Sequence, residues 1–234
     1  MTRTRICTFF LAAALCLSAA AAEAQTPPAA SPSAGAPTDV YNVMFVKAAP
    51  GQAAALEKQL QQQDPKDPMA SHFLLLRHQE GADWDYCLIY HVGPKGSVEI
   101  TPLPPGPEPA TRAWHDDTFV SGPPWPEFQR LMGLTGDQPG NAVYVVGVHR
   151  AVPGHREQLV QALTQRGPSS KVTVNSLLMT HLEGGAWQFL TVDRYNSWQD
   201  FGADRTANPA GGKGWLDSRE HSAYHTDTIA DRVR

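Results

Sequence analysis

The pattern of hydrophobic residues that predicts a strand, then a helix and then a hairpin occurs twice along the chain. Runs rich in β-branched and aromatic residues open at Val40 and at Val143, and each predicts a β-strand. Both runs end at a Pro-Gly pair, beginning at Pro50 in one case and at Pro153 in the other. This pair interrupts an extended chain, so we expect a turn and then a change of element.

A helix is predicted after each of these turns. Leu56 and Leu60 in the first segment, and Leu159 and Leu163 in the second, have the i, i+4 spacing that places two side chains on one helix face. Paired leucines and a His-x-Glu-Gly sequence come next in both segments, and a tryptophan then opens a further apolar run. This order predicts a β-hairpin.

The two segments are copies of one pattern. A shift of 103 residues aligns positions 40–89 with positions 143–192 without a gap, and 16 of these 50 positions are identical. A later match, of positions 113–119 with positions 223–229, needs a shift of 110. Each half therefore predicts β-α-β-β-α-β, the ferredoxin-like arrangement, with strand order 4-1-3-2 and helices on one face.

The seven extra residues of the second half lie where Ser197 and the residues after it predict the start of a helix. The first half has prolines at positions 102, 104, 105, 107 and 109 in the same place, and these predict an extended loop. The open face of each sheet must be buried, and the other half is the expected partner, so we predict two modules packed sheet to sheet.

The first residues are typical of a secretory signal. Arg3 and Arg5 precede an apolar stretch, and small residues around Glu23 suit cleavage before Gln25. The domain prediction is a signal peptide at 1–24, a disordered Ala/Pro linker at 25–38, modules at 39–121 and 141–234, and a connector at 122–140. We expect a periplasmic or secreted protein.

Charge and cysteine content narrow the function. The formal net charge is −4, and removing residues 1–24 leaves 17 Lys and Arg against 22 Asp and Glu, or −5. No basic cluster stands out, which argues against a nucleic-acid partner. Cys87 is the only cysteine after residue 24 and lies in an apolar run, so we expect a buried, inert thiol.

The strand-Pro-Gly-helix opening, the paired hairpins and the His-x-Asp-Thr sequence of each last strand resemble the dimeric α+β barrel superfamily, in its antibiotic-biosynthesis-monooxygenase-like branch. The resemblance covers residues 39–234 as two fused copies. It implies a pseudo-dimeric barrel. Members of the superfamily include cofactor-free oxygenases, haem-dependent enzymes, muconolactone isomerases and proteins without a known activity, so the resemblance alone selects no reaction.

Polar residues fall at the predicted ends of three strands in the second half. We expect the end of strand 1, near His149, and the end of strand 3, near Asp193, to lie at one edge of the sheet. Strand 4 is expected to begin at the same edge, near His225 and Asp227. Such a cluster suits a ligand pocket with a histidine as proton acceptor, although polar residues at wet strand ends have the same composition.

The corresponding residues of the first half are Val46, Tyr90, His115 and Asp117, with His91 next to Tyr90. His221 and His225 would share a helix face, as metal or haem ligands can, but no third ligand is nearby in the sequence, so we predict no metal. The ligand-binding candidates are His149, Asp193, His221, His225, Asp227, His115 and Asp117.

These observations favour an exported protein that binds a small molecule. The alternative is a cofactor-independent oxygenase or isomerase of a small apolar or aromatic substrate that uses a His/Asp pair. No cofactor is predicted, and the Walker, dinucleotide-binding, Cys-x-x-Cys and G-x-S-x-G motifs are absent. We expect no membrane contact after signal removal, and homodimerisation stays open.

Overall fold

The computed structural model describes residues 39–62, 66, 69–98, 109–135, 140–164, 175–183, 186–207 and 213–233. The predicted signal peptide and linker lie outside these residues, as does most of the proline-rich segment. The described residues contain eight strands: β1 Asp39–Ala48, β2 Phe73–Glu80, β3 Tyr86–Pro94, β4 Arg112–Gly122, β5 Val143–Ala151, β6 Asn175–Glu183, β7 Phe189–Tyr195 and β8 Ser222–Arg232.

The strands form one closed antiparallel barrel in the order β1-β3-β2-β8-β5-β7-β6-β4. Within it, β4-β1-β3-β2 and β8-β5-β7-β6 each have the predicted order 4-1-3-2, so the α+β fold class is confirmed. The two four-stranded sheets join by edge pairing, β2 with β8 and β4 with β6. Closure gives every edge strand a hydrogen-bonded partner, which open sheets lack.

The barrel interior is an apolar core. Alternate side chains of each strand point inward, because successive residues of a strand face opposite sides of the sheet. Tyr41, Val43 and Phe45 of β1 contribute to this core together with Trp84 and Trp187, the two tryptophans after the hairpin turns. Cys87 is also buried there, and burial raises the pKa of its thiol, so it is the inert cysteine that the sequence predicts.

In the described part of the chain, five α-helices accompany the sheet: α1 Ala53–Leu60, α2 Trp125–Met132, α3 Arg156–Thr164, α4 Trp198–Ala207 and α5 Lys213–His221. Leu56 and Leu60 of α1 pack on the outer face of the first four-stranded sheet, and Leu159 and Leu163 of α3 pack on the outer face of the second. Each buried leucine contributes about 1.5–3 kcal/mol. None of the helices among the described residues is long and apolar enough to span a membrane.

Helix α2, which lies in the predicted connector, belongs to the interior core. Trp125, Phe128 and Met132 pack with the inward side chains of the barrel. The hydroxyl of Tyr41 donates a 2.7 Å hydrogen bond to the carbonyl of Pro123 before α2. The hydroxyl of Tyr144, at the equivalent position of the second half, donates one of 2.8 Å to the carbonyl of Met132 at its end. The connector is thus bonded to both halves.

Candidate functional site

The candidate site lies on the outer face of β5, between the second sheet and its helices. Val143, Val145 and Ala151 of this face pack against side chains of α3 and α4. Gly147 and His149 have the same parity in the strand, so they face the same side. Thr191 on β7 and Asp227 on β8 lie directly opposite Gly147 across the two strand pairs.

Gly147 leaves space for three polar atoms. A Cβ added there would lie 2.5 Å from Thr191 Oγ1, 2.7 Å from His149 Nε2 and 3.0 Å from Asp227 Oδ1. Gly147 is not among the glycines with positive φ, so the backbone itself accepts other residues. The glycine is therefore required for the space above it, where side chains from three adjacent strands converge.

Two of the converging side chains are almost wholly buried. His149 is 6% exposed and Thr191 is 4% exposed. His149 Nε2 and Thr191 Oγ1 form a 2.8 Å hydrogen bond. Burying a polar group costs about 1–3 kcal/mol unless a hydrogen bond compensates for the lost water, so this bond makes the burial tolerable but does not explain why polar residues are here.

His225 lies opposite His149 on β8, with the two rings stacked and their centroids 6.2 Å apart. Arg219, in the last turn of α5, donates a hydrogen bond to His225 Nδ1. His225 Nε2 is 3.9 Å from Asp227 Oδ2. Burial lowers the pKa of His225, and the positive charge of Arg219 adds to this effect, whereas Asp227 raises it; the net direction is downward.

An open cleft of about 270 Å³ adjoins the polar cluster. Val145 and Ile229 supply apolar side chains from the sheet, and Phe201 does so from α4. Arg205 lies over the Phe201 ring at 5.2 Å, and Asp227 is common to the cleft and to the space above Gly147. The complete lining consists of Glu80, Gly81, Val145, Phe201, Arg205, Asp227 and Ile229.

The first half fills the equivalent space with apolar side chains. Met44 on β1 lies opposite Leu88 and Asp117, as Gly147 lies opposite Thr191 and Asp227. Val46 occupies the position of His149. Met44 and Val46 belong to a cluster of buried residues with Leu56 of α1, and Leu88 packs against it. The positions of Asp227 and His225 are polar in both halves, as Asp117 and His115 in the first, whereas the first sheet folds with apolar residues in place of His149 and Thr191.

His115 and Asp117 of the first half come together as a pair. His115 Nδ1 is 2.9 Å from Asp117 Oδ2, and both side chains are partly exposed to solvent. His115 lies opposite Val46, as His225 lies opposite His149. The duplicated His-x-Asp-Thr sequence thus has the same strand register in each half, while its surroundings differ.

Asp193 does not join the cluster that its sequence position predicts. It lies opposite Val145, whereas His149 lies opposite Phe189, so Asp193 is four residues, or roughly 13 Å, from His149 along β5. The expectation that strands 1 and 3 end at one edge was wrong, because these strands are antiparallel and their ends are at opposite edges. Asp193 is 2% exposed and faces the helix side of the sheet.

His221 and His225 are not on one helix. His221 ends α5, whereas His225 is in β8. His221 Nδ1 is instead 3.0 Å from Nδ1 of His155, at the turn that begins α3, so the pair ties α5 to α3. Among the described residues, no three His, Cys, Asp or Glu side chains are grouped so that they could hold a metal ion.

Sequence reasoning missed a buried polar chain in the first half. His91 Nε2 is 2.8 Å from Asp39 Oδ2, and His91 Nδ1 is 3.2 Å from His72 Nδ1. The same Asp39 oxygen accepts a 2.9 Å hydrogen bond from the backbone N–H of Trp125, at the start of α2. The indole of Trp125 stacks on both imidazoles. Because Asp39 accepts hydrogen bonds from both His91 and the backbone of Trp125, these polar residues hold α2 against the barrel.

Gly147, Thr191 and Arg219 were also missed. A signal for the first was present, since an isolated glycine inside a strand pattern often marks a close approach of other groups. Comparing the two repeats would have strengthened it, because Met44 is the aligned residue. No pattern in the sequence pointed to Arg219, since its contact with His225 depends on how α5 packs.

Comparison with known proteins supports the fold. The chain is similar to the solved structure of an anthrone oxidase-like protein, with 11% identity, 86% of this chain and 93% of that chain covered, and a TM-score of 0.50. It is also similar to the solved structure of a candidate monooxygenase from Lactobacillus acidophilus NCFM, with 9% identity, 83% of this chain and 94% of that chain covered, and a TM-score of 0.49. A third similar structure is that of a candidate chlorite dismutase, with 10% identity, 84% of this chain and 96% of that chain covered, and a TM-score of 0.47.

The anthrone oxidase-like structure has a fold of the dimeric α+β barrel type, which agrees with the fold that the sequence predicts. At such identities the likeness concerns the fold and not the activity. No family model and no curated protein matches the chain.

Proposed function

We propose that this chain is a small-molecule-binding protein whose site lies on the outer face of β5, in the cleft between the second sheet and α4. The difference between the halves carries the proposal. The first half packs Met44, Val46 and Leu88 where the second has Gly147, His149 and Thr191. Since an apolar filling suffices for the fold in the first half, the polar groups above Gly147 serve another purpose.

The cleft suits a ligand with a small apolar body and one hydroxyl-like group. Val145, Phe201 and Ile229 provide the apolar contacts, and a volume of about 270 Å³ is slightly below the range typical of drug-sized ligands. His225 Nε2 and Asp227 Oδ2 are 3.9 Å apart. A hydroxyl near both atoms would accept a hydrogen bond from the imidazole and donate one to the carboxylate.

The second candidate function is a cofactor-independent oxygenase or isomerase. The observation that favours it is that a carboxylate of the cleft lining, Asp227, lies 3.9 Å from the imidazole of His225. Asp227 would remove a proton from an enol or phenol, and His225 would donate a hydrogen bond to the resulting oxyanion. His225 itself is a poor base in this arrangement, because Arg219 occupies the lone pair at Nδ1.

We further propose that the two halves are fused copies of one ancestral module and that the chain is exported. The repeat at a shift of 103 residues and the doubled strand order support the first statement. The residues before Gln25 support the second. Intact-mass measurement of protein purified from its native host would test export: a mature chain beginning near Gln25 is expected, and an uncleaved chain would contradict it.

The binding proposal is tested by NMR titration with 2-naphthol and, as a matched probe, 2-methoxynaphthalene, which accepts a hydrogen bond but cannot donate one. We expect 2-naphthol to shift the amide signals of β5, β8 and α4 and to bind at least tenfold more tightly, a difference of about 1.4 kcal/mol. Equal affinity for the two probes, or shifts confined to the first half, would contradict the proposal.

Gly147→Ala and Thr191→Val test the polar cluster. The added Cβ would collide with the three converging polar atoms, and the valine would remove the hydroxyl while keeping the shape. We expect each change to weaken 2-naphthol binding at least tenfold. Met44→Leu, at the equivalent position of the first half, is the matched control and should leave binding unchanged; a similar loss in this control would mean that the effect comes from the fold.

A further inference from the structure

We propose that Arg219 is a positioning residue of the β5 site: it donates to Nδ1 of His225 and thereby keeps the Nε2 proton of that imidazole available beside Asp227. The inference rests on the proposed function, because it concerns how the same site presents a donor and an acceptor to its ligand. It assigns a task to a residue of α5 that lies outside the lining of the cleft.

The assignment follows from what a guanidinium can do. All polar hydrogens of arginine are donors and it has no acceptor, so Nδ1 of His225 must present its lone pair to Arg219. A neutral imidazole with a lone pair at Nδ1 carries its proton at Nε2. Nε2 is the ring nitrogen that lies 3.9 Å from Asp227 Oδ2. Arg219 therefore selects the tautomer in which His225 is a donor on that side.

The neighbours of Arg219 hold it in place. Its guanidinium lies 4.8 Å from the centroid of the Trp215 ring, one turn earlier in α5. The end of α5 is fixed to the turn between β5 and α3 by the His155–His221 contact and by a 2.9 Å hydrogen bond from the backbone N–H of Val152 to the carbonyl of His221. A long side chain anchored in this way loses less conformational freedom when it makes its hydrogen bond.

The groups around His225 support the neutral form. Arg219 approaches from α5, Asp227 from β8 itself, and His149 from β5. Burial and the charge of Arg219 together outweigh the carboxylate, so the pKa of His225 lies below its ordinary value. Protonation at Nδ1 would also displace the donor hydrogen of Arg219, and the hydrogen bond would be lost.

The first half provides an internal contrast. His115 has the same register as His225, but its Nδ1 is 2.9 Å from the carboxylate of Asp117. A carboxylate only accepts, so its proximity favours a proton on Nδ1 of His115. The two equivalent histidines are thus expected to hold opposite tautomers, because one Nδ1 faces a carboxylate and the other a guanidinium.

The test is imidazole 15N NMR of the intact protein over a pH titration, combined with 2-naphthol binding. We expect the Nε2–H tautomer at His225 and the Nδ1–H tautomer at His115. Arg219→Met should raise the pKa of His225, mix its tautomers and weaken 2-naphthol binding about tenfold. Arg219→Lys, which keeps a charged donor, should reverse part of each of these three effects. Arg150→Met removes the same charge from β5, where Arg150 lies over Tyr224, and is the control.

Two outcomes separate this inference from the proposed function. An Nδ1–H tautomer at His225 in the unaltered protein, or an Arg219→Met protein with unchanged tautomer and affinity, would overturn the role of Arg219. If His225 has the expected tautomer and Arg219→Met changes it as expected, the control of His225 by Arg219 is supported. If the unaltered protein then fails to bind 2-naphthol, the proposed function is overturned.

Discussion

At the scale of single residues, the clearest feature is that buried polar groups serve different ends in the two halves. Asp39 and His91 are 7% and 3% exposed and bond each other and the start of α2. This arrangement is structural, since these hydrogen bonds join β3 and the start of α2 to β1. The polar atoms above Gly147 instead include a carboxylate oxygen of Asp227, which also lines the open cleft, and this is why the proposed ligand site is assigned there.

Asp39→Ala tests the structural role of the first group. The change leaves the N–H of Trp125 and a ring nitrogen of His91 buried without their shared acceptor, so we expect the free energy of unfolding to fall by about 3 kcal/mol. Urea denaturation at neutral pH measures it. The exposed Asp116→Ala is the control and should change stability by less than about 0.5 kcal/mol. A loss that small for Asp39→Ala would contradict the fastening role.

At the scale of elements, α2 has a position that its sequence alone does not explain. The helix has only eight residues, and helices of that length are marginal in water without tertiary contacts. Trp125, Phe128 and Met132 supply the buried surface, and the hydroxyls of Tyr41 and Tyr144 bond the chain at its two ends. The connector therefore depends on both halves for its structure.

Removing these two hydroxyls tests that dependence. Tyr41→Phe and Tyr144→Phe should each lower stability by about 1 kcal/mol. In the double variant we expect faster hydrogen exchange of the α2 amides, with the amides of β1 and β5 keeping their protection. Uniform acceleration of exchange in helix and barrel would show instead that α2 opens only when the whole molecule unfolds.

At the scale of the whole molecule, the two sheets are parts of one hydrogen-bonded barrel. The seam between β2 and β8 contains an ion pair, with Arg77 Nη2 2.7 Å from Asp231 Oδ2, and the seam between β4 and β6 aligns Val120 with His181. Because each half supplies half of the interior core, neither can bury its inward face alone. We expect a single unfolding unit.

Denaturation followed by far-UV circular dichroism and by tryptophan fluorescence should therefore give coincident transitions. Val120→Pro would remove a ladder donor from β4 and is expected to destabilise the protein by about 3 kcal/mol or more while keeping one transition. Arg77→Met should cost less than about 1 kcal/mol, since Arg77 is about half exposed. Two separated transitions in the unaltered protein would contradict the single unit.

The sequence by itself determined the element order and the architecture. A repeated succession of strand, turn and helix patterns is local information, and it predicts the ferredoxin-like unit with its 4-1-3-2 order. The sequence also singled out His225 and Asp227, because strand 4 was expected to begin there, at the edge of the sheet near His149. The prediction misplaced Asp193, because strands 1 and 3 are antiparallel and the end of strand 3 therefore lies at the opposite edge from the end of strand 1. The predicted strand order already implies this direction.

Only the tertiary structure decided which residues surround the space above Gly147. His149, Thr191 and Asp227 come from three strands that are far apart in sequence, and their meeting depends on the register of β5 with β7 and β8. The contact of Arg219 with His225 depends further on how α5 packs against α3. Strand register and helix packing are decided by how all the core side chains fit together. Residue patterns along the chain do not describe this fit.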